Sequence, residues 1–225
     1  MNILITGASG FVGTNLVNKL SEKHNVRCVD RDDTFTLSGR DIVIHLACDG
    51  DSRASNSHIK EHTKNNLLLF TEILEAAINA GVKRFIYISS IEAEKELNVY
   101  AIEKRANEKI LQVIAKEYGF DYVIIRPHTL FGEHMNLNDK NRNVIANFIK
   151  KTITGEEVEI IGDVNATRQF TYIEDLVKVI ENSLTENTNQ TITVTSGIET
   201  SIKDLDYMIK NLYKTILWVS SHTTE

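Results

Sequence analysis

At 225 residues with 42% apolar side chains, the chain can bury the core of one domain with a small satellite. Its net charge of −6 argues against general affinity for nucleic acid, and without an apolar run of ~18 residues no segment is expected to span a membrane. The first strand begins at residue 2, which leaves no room for a signal peptide, so the expected location is the cytoplasm.

Residues 2–6 are a short apolar strand, followed at once by Gly7-Ala-Ser9-Gly10-Phe11-Val12-Gly13. Residues 12–24 then carry apolar side chains at helical spacing, and a second strand, 26–29, ends in Asp30. Each part has a mechanical use. Gly7 permits a tight turn, Gly10 lets the backbone approach a pyrophosphate, and Gly13 lets helix and strand pack closely. The helix start offers free N–H groups to phosphates, and Asp30 stands where a carboxylate can accept from both hydroxyls of an adenosine ribose.

Strand 41–47 comes next and ends in Leu46 and Ala47. The polar segment 52–58 is expected as a loop over the nucleotide, and 59–80 as one long amphipathic helix. On its first turns His58 and His62 share a face, and without a third ligand they read as solvated polarity rather than a metal site. His45, inside an apolar strand, reads as a packed core histidine. Cys28 and Cys48 offer neither a disulfide framework nor metal spacing and are expected as buried thiols near strand ends.

Strand 85–88 leads into Ser89 and Ser90, and helix 98–118 opens with Tyr100-Ala-Ile-Glu-Lys104. Residues four apart share a helix face, so the Lys104 ammonium is expected to favour the Tyr100 phenolate and lower its pKa into the range of a general base or acid. Ser90 falls at the carboxyl end of its strand, where open α/β sheets bind ligands.

Strand 122–126 precedes Pro127, the only proline. Beyond it come helix 144–153, strand 157–161, helix 173–184, strand 191–195, helix 201–213 and a loose tail, 220–225. Lys140 to Arg142 and Lys150-Lys151 are small basic spots of helix surface. Strand and helix in alternation imply an α/β fold, a doubly wound parallel sheet with helices on both faces. Residues 1–126 are expected to hold the nucleotide and the Ser/Tyr/Lys group, and 127–225 to form a small C-terminal substrate-binding portion interleaved with the same fold.

The steps Thr6-Gly7-x-x-Gly10-x-x-Gly13, followed by Ser90, Tyr100 and Lys104, resemble the extended short-chain dehydrogenase/reductases, the NAD-dependent epimerase/dehydratase family that modifies nucleotide sugars. Asp41-Ile-Val-Ile-His-Leu46-Ala47, Asn66 with Leu74-Glu-Ala-Ala77, Arg126-Pro-His-Thr-Leu-Phe-Gly132 and Thr167-Arg168-Gln-Phe-Thr-Tyr-Ile-Glu-Asp175 extend the likeness over most of the chain. The resemblance implies Ser90, Tyr100 and Lys104 as catalytic residues, with Asn66 in support. Gly7, Ser9, Gly10, Phe11, Val12, Gly13, Asp30, Arg31, Leu46, Ala47, Tyr100 and Lys104 would hold the cofactor. Ser90 and Arg168 would meet the nucleoside-diphosphate sugar, Arg168 by a two-pronged grip on the diphosphate. No metal is implied, and the two long helices could pair into a homodimer.

Departures from the family shape the functional expectation. Ten residues separate Asp30 from Asp41, too few for the family's third strand, and the sequence stops at Glu225, short of the family's usual extended length, with no evident counterpart of a second diphosphate-binding arginine. Where the family's dehydratases carry an acid pair after the serine, this chain has Ile91 and a lone Glu92, expected to be solvated; an isoleucine cannot deliver a proton. The first reading is a nucleotide-sugar epimerase acting at C4 with NAD, because Asp30 repels the 2′-phosphate of NADP while Arg31 could accommodate it. The alternative is a reductase of 4-keto sugars, which the short step from Ser90 to Tyr100 resembles in bacterial capsular-polysaccharide enzymes. A third reading, from another class, is a cofactor-binding regulator or partner subunit without catalysis.

Overall fold

The computed structural model describes residues 1–31, 33, 36–138 and 143–222, with side chains described as far as Leu217. In chain order come β1 (Asn2–Thr6), α1 (Phe11–Leu20), β2 (Asn25–Val29), β3 (Ile42–His45), α2 (Ile59–Thr63), α3 (Leu69–Asn79), β4 (Arg84–Ile88), α4 (Val99–Tyr118), β5 (Asp121–Pro127) and β6 (Thr129–Phe131). The remainder is α5 (Val144–Thr154), β7 (Thr167–Arg168), β8 (Phe170–Tyr172), α6 (Ile173–Asn182), β9 (Gln190–Val194), β10 (Thr200–Ser201) and α7 (Ile202–His222). One parallel sheet takes the order β2-β1-β3-β4-β5-β9.

Strand alternation divides the core between the two sheet faces. Ile3, Ile5, Ile42, Ile44, Ile86, Ile88, Val123 and Ile125 point to one face and pack beneath α1 and α6. Their neighbours Leu4, Val43, Phe85, Tyr87 and Ile124 point to the other and pack beneath α3 and α4. The period of two in each strand thus places every central strand between two helical layers, as a doubly wound sheet requires. Full burial of residues such as Phe85 and Ile86 contributes about 1.5–3 kcal/mol each. A satellite core gathers Ile145, Phe148, Phe170 and Leu205 from α5, β8 and α7.

The chain after Pro127 serves both bodies. It builds the satellite, yet α6 covers the main sheet beside α1 and β9 pairs with β5 from Val123↔Gln190 to Pro127↔Val194. Pro127 sits at the last pair of β5, where its missing N–H costs little.

Several expectations are corrected. Residues 157–161 do not form a strand: Val158 and Ile160 rest against the satellite core, Ile161 is 92% exposed, and no strand among the described residues pairs with them. The expected helix over 59–80 is interrupted by a π-turn at Lys64–Leu68, and α1 stops at Leu20. Helix α7 runs on to His222, through the start of the expected tail; Thr223 to Glu225 and the basic spot Lys140 to Arg142 lie outside the described residues. Both cysteines are exposed: Cys28 belongs to the edge strand β2, and Cys48 follows β3 at the mouth of the sheet. Among the described residues, no strand lies between Val29 and Ile42, and no helix is long and apolar enough to cross a membrane.

Candidate active site

At the carboxyl end of β1 the chain turns through Gly7 at φ +72°, and a Cβ there would stand 2.8 Å from the Ala47 backbone. A Cβ on Gly13 would drive into the Gly7 carbonyl, so α1 can lie this close to the loop only with glycine. Gly10 caps α1 without any side-chain bond, leaving the first-turn amides of Phe11, Val12 and Gly13 open to an anion. Both Asp30 oxygens lie 3.1 Å from the Ser9 N–H, which ties the end of β2 to the glycine loop; Arg31 beside it is exposed. Leu46 and Ala47 form the neighbouring wall, with the Ala47 N–H donating to Thr6 Oγ1 at 3.3 Å. Open amides, close-packed glycines and an acid at the next strand end fit a dinucleotide.

His45 is the core histidine expected, with Nδ1 2.9 Å from Thr6 Oγ1 and rings of Phe70, Phe85 and Tyr87 around it. Burial, reinforced by Lys104, pushes its pKa down to about 3 and keeps it neutral.

The second group is built where β4 meets α4. Ser90 is extended and caps the 3-10 turn Ile91–Glu94, its Oγ accepting from the Glu92 N–H at 3.2 Å. Glu92 is half-buried rather than solvated, and its carboxylate accepts from Asn98 Nδ2 at 3.2 Å. Asn98 in turn caps α4 through the Ala101 N–H, and so fixes the turn that carries Tyr100. Lys104, 3% exposed, donates from Nζ to the Ile88 carbonyl at 2.8 Å and lies 5.7 Å from the Tyr100 ring centroid. Residues 52–58 do not simply arch over the cleft: the 3-10 turn Ala54–Asn56 is held against α4 by Asn56 Oδ1, which accepts the Val99 N–H at 2.9 Å.

The charges depart from expectation in one respect. Burial raises the Tyr100 pKa, and Lys104 draws it down without overcoming burial, so in the protein alone Tyr100 is a neutral phenol. Burial also opposes the Lys104 charge, but Cys48, Tyr100 and Glu108 outweigh it and the ammonium is retained. The expected lowering by Lys104 is present; desolvation is the larger effect.

Asn66 sits in the π-turn, 2% exposed. Its Oδ1 accepts the Asp49 N–H at 2.6 Å, and Nδ2 donates to the Asp49 carbonyl and to Glu103 Oε2. Ser90, Tyr100, Lys104 and Asn66 thus share one neighbourhood at the carboxyl edge of the sheet. Arg168 is exposed on the β7–β10 ribbon, and no hydrogen bond or ion pair among the described residues joins it to them.

Sequence reasoning missed His62, Glu103 and Asn107, which are 2%, 4% and 1% exposed around Asn66 and Tyr100. His62 is not solvated polarity; its Nδ1 lies 2.7 Å from Glu103 Oε2, while His58 stays exposed. The signal was the spacing: Tyr100, Glu103, Lys104, Asn107, Glu108 and Leu111 fall on one helical stripe, and four of its members are polar groups that water would otherwise hold.

The family model for the NAD dependent epimerase/dehydratase family matches residues 3–194. A putative UDP-glucose 4-epimerase of Methanocaldococcus jannaschii is 26% identical across 93% of this chain and 81% of its own length. The structure of a UDP-glucose 4-epimerase of Thermotoga maritima with UDP-glucose superposes with a TM-score of 0.89 at 26% identity, covering 95% of this chain and 83% of that one. MoeE5 in complex with UDP-glucose and NAD gives a TM-score of 0.86 at 25% identity over 95% and 82%. A family match over most of the chain, on the fold and the glycine cradle described above, makes the assignment: the chain belongs to the NAD dependent epimerase/dehydratase family.

Proposed function

We propose that this protein is a nucleotide-sugar epimerase that inverts C4 of a nucleoside-diphosphate sugar with NAD. The observation that carries the reading is the arrangement around Lys104. Its buried ammonium is anchored to the Ile88 carbonyl, one turn along α4 from Tyr100 and directly below the strand end that presents Ser90. The names of the M. jannaschii and T. maritima relatives support the reaction class.

When bound, NAD would accept and return a hydride and bring a positive charge to the site. With the cofactor's charge added to that of Lys104, Tyr100 would lose its phenol proton to solvent and, as the phenolate, take the proton of the C4 hydroxyl as that oxygen becomes a carbonyl, giving it back when the alcohol reforms on either face of the sugar. A phenol held neutral by burial is the resting acid of this pair, and Lys104 is the permanent cation that lowers the cost of its ionised form. Ser90 would hydrogen-bond the same sugar oxygen. Asn66 would steady the Asp49 backbone beside the reacting centre, and the exposed Arg168 would grip the diphosphate. Asp30 favours NAD over NADP, since its carboxylate repels a 2′-phosphate.

Mass analysis of the small molecules released from denatured, freshly purified protein tests this reading. Retained NAD is expected, because an epimerase recycles its cofactor in place. A site that purifies empty and binds NADPH in preference to NAD(H) would overturn it in favour of reduction of a 4-keto sugar.

A further inference from the structure

Behind Tyr100, on the side away from the solvent, the helices meet through polar groups. His62 comes from α2, Asn66 from the π-turn, and Glu103 and Asn107 from α4. Asn66 Nδ2 lies 3.1 Å from the Asp49 carbonyl, 3.0 Å from Glu103 Oε2 and 2.9 Å from His62 Nδ1. His62 Nδ1 lies 2.7 Å from Glu103 Oε2, so the histidine, the asparagine amide and one carboxyl oxygen close a buried triangle of contacts. The π-turn completes the set. Its Asn66 backbone carbonyl accepts from Asn107 Nδ2 at 3.1 Å, and the same amide donates to the Tyr87 hydroxyl at 3.0 Å.

Two consequences bear on Tyr100. The His62 ring stands edge-on to the Tyr100 ring, with centroids 6.1 Å apart and planes at 85°. Glu103 lies between Tyr100 and Lys104 in sequence and immediately precedes the lysine, so anything that grips Glu103 fixes the turn that carries both. His62 Nε2 and Glu103 Oε1 are buried without a hydrogen-bond partner among the described residues. Such groups are expensive in a core, and a hydrophobic pair of equal volume would fill the space at less cost to stability.

We propose that His62 and Glu103 are a positioning pair for the Tyr100–Lys104 couple, locking the first turns of α4 to the Asp49 loop so that the phenol is held in its working orientation. The inference rests on the epimerase reading for its kinetic test, and on the geometry alone for its spectroscopic one. Neither residue touches substrate in this account; both act through Tyr100.

The test uses full-length His62→Leu, His62→Asn and Glu103→Gln, each shown to be folded by circular dichroism and assayed well below its melting temperature. His62→Leu and Glu103→Gln are expected to lower kcat about tenfold or more with KM for the nucleotide sugar within twofold, since the misplaced group acts on chemistry rather than on binding. His62→Asn, whose amide can still reach Glu103, is expected to recover a large part of that loss. The double variant His62→Leu/Glu103→Gln should be little worse than either single one. In parallel, the ring signals of Tyr100 in protein with 13C-labelled tyrosine, assigned by loss in Tyr100→Phe, should shift in Glu103→Gln although the histidine ring is still present. Variants that only melt earlier, with wild-type kcat and unmoved Tyr100 signals, would overturn the proposal. If the wild-type protein acts on no nucleotide sugar, the epimerase reading falls by itself, and the Tyr100 signals then decide the proposal without the kinetics.

Discussion

Asp30 and Tyr100 carry the two halves of the proposed chemistry, and each offers a test by one substitution. In Asp30→Ala the carboxylate that meets the Ser9 N–H is gone, together with the acceptors offered to a ribose and the charge that repels a 2′-phosphate. NAD(H) affinity is expected to fall by about 1–3 kcal/mol, the range of charge-assisted hydrogen bonds, while discrimination against NADP(H) relaxes. Unchanged titrations with both cofactors would show that Asp30 is not at the ribose. Tyr100→Phe keeps the ring packed against His62 and Lys104 but lacks the hydroxyl, so cofactor binding should persist while turnover falls roughly 10²–10⁴-fold. The pH dependence has a definite sign. Burial raises the Tyr100 pKa, so the phenolate fraction grows with pH, and the rate of sugar oxidation by the wild-type protein should still be rising into the alkaline range. A rate that falls from neutral to alkaline pH while the protein stays folded would contradict that assignment.

At the scale of elements, the junction of β4 and α6 shows how side chains close a doubly wound sheet. Arg84, the first residue of β4, donates to the Ser183 and Glu186 carbonyls at 2.9 Å each, to Thr188 Oγ1 at 2.8 Å and to Asp121 at 3.1 Å. These carbonyls belong to the turn that leaves α6, Ser183 at its C-cap and Glu186 three residues on. Arg84→Ala is expected to cost about 3 kcal/mol in urea unfolding, yet to leave cofactor affinity unchanged because the contact lies at the amino end of the sheet. A loss below about 0.5 kcal/mol would mean that water replaces the guanidinium. Such elements also mark what a sequence can reveal. Strands β1 and β3 to β5 announce themselves by apolar runs bounded by glycine or polar residues, and helix α4 by its stripe and its Asn98 and Gly119 caps. Residues 157–161 alternate polar and apolar side chains as a strand would, but pairing needs a second strand, and no local pattern encodes where that partner lies. The π-turn and the inward face of His62 were equally hidden, since both depend on Glu103 and Asn107 arriving from a helix some forty residues later. Tyr100 and Lys104 were legible as a pair because their interaction is local. The net pKa of Tyr100 was not, because desolvation is a property of the assembled core.

For the whole molecule, the buried polar groups imply acid sensitivity of calculable sign. His45 titrates near its ordinary 6.5 when unfolded and at about 3 when folded, so below 6.5 the unfolded chain binds the extra proton. Stability from this group is therefore complete above 6.5 and is lost as pH falls toward 3; between 6.5 and 5 the loss is about 2 kcal/mol. Glu108 adds to the decline at lower pH. Burial would raise its pKa, but bonds from Arg126, Ser89 and Arg105 hold the carboxyl below the usual range. Urea unfolding of wild type and His45→Phe at pH 7.5 and 5.0 should show a drop larger by about 2 kcal/mol in the wild type. Equal drops would mean that His45 is not buried in its neutral form.

Proton NMR of UDP-hexoses incubated with the purified protein and catalytic NAD separates inversion of a sugar carbon, which consumes no net reductant, from reduction. The C4 epimer is expected to accumulate to equilibrium, with the starting sugar reformed from either side, no stoichiometric NADH, and no turnover in Tyr100→Phe. A protein that binds NAD yet leaves every UDP-hexose unchanged, or that acts only on a 4-keto sugar with one NAD(P)H consumed per turnover, would contradict the epimerase reading.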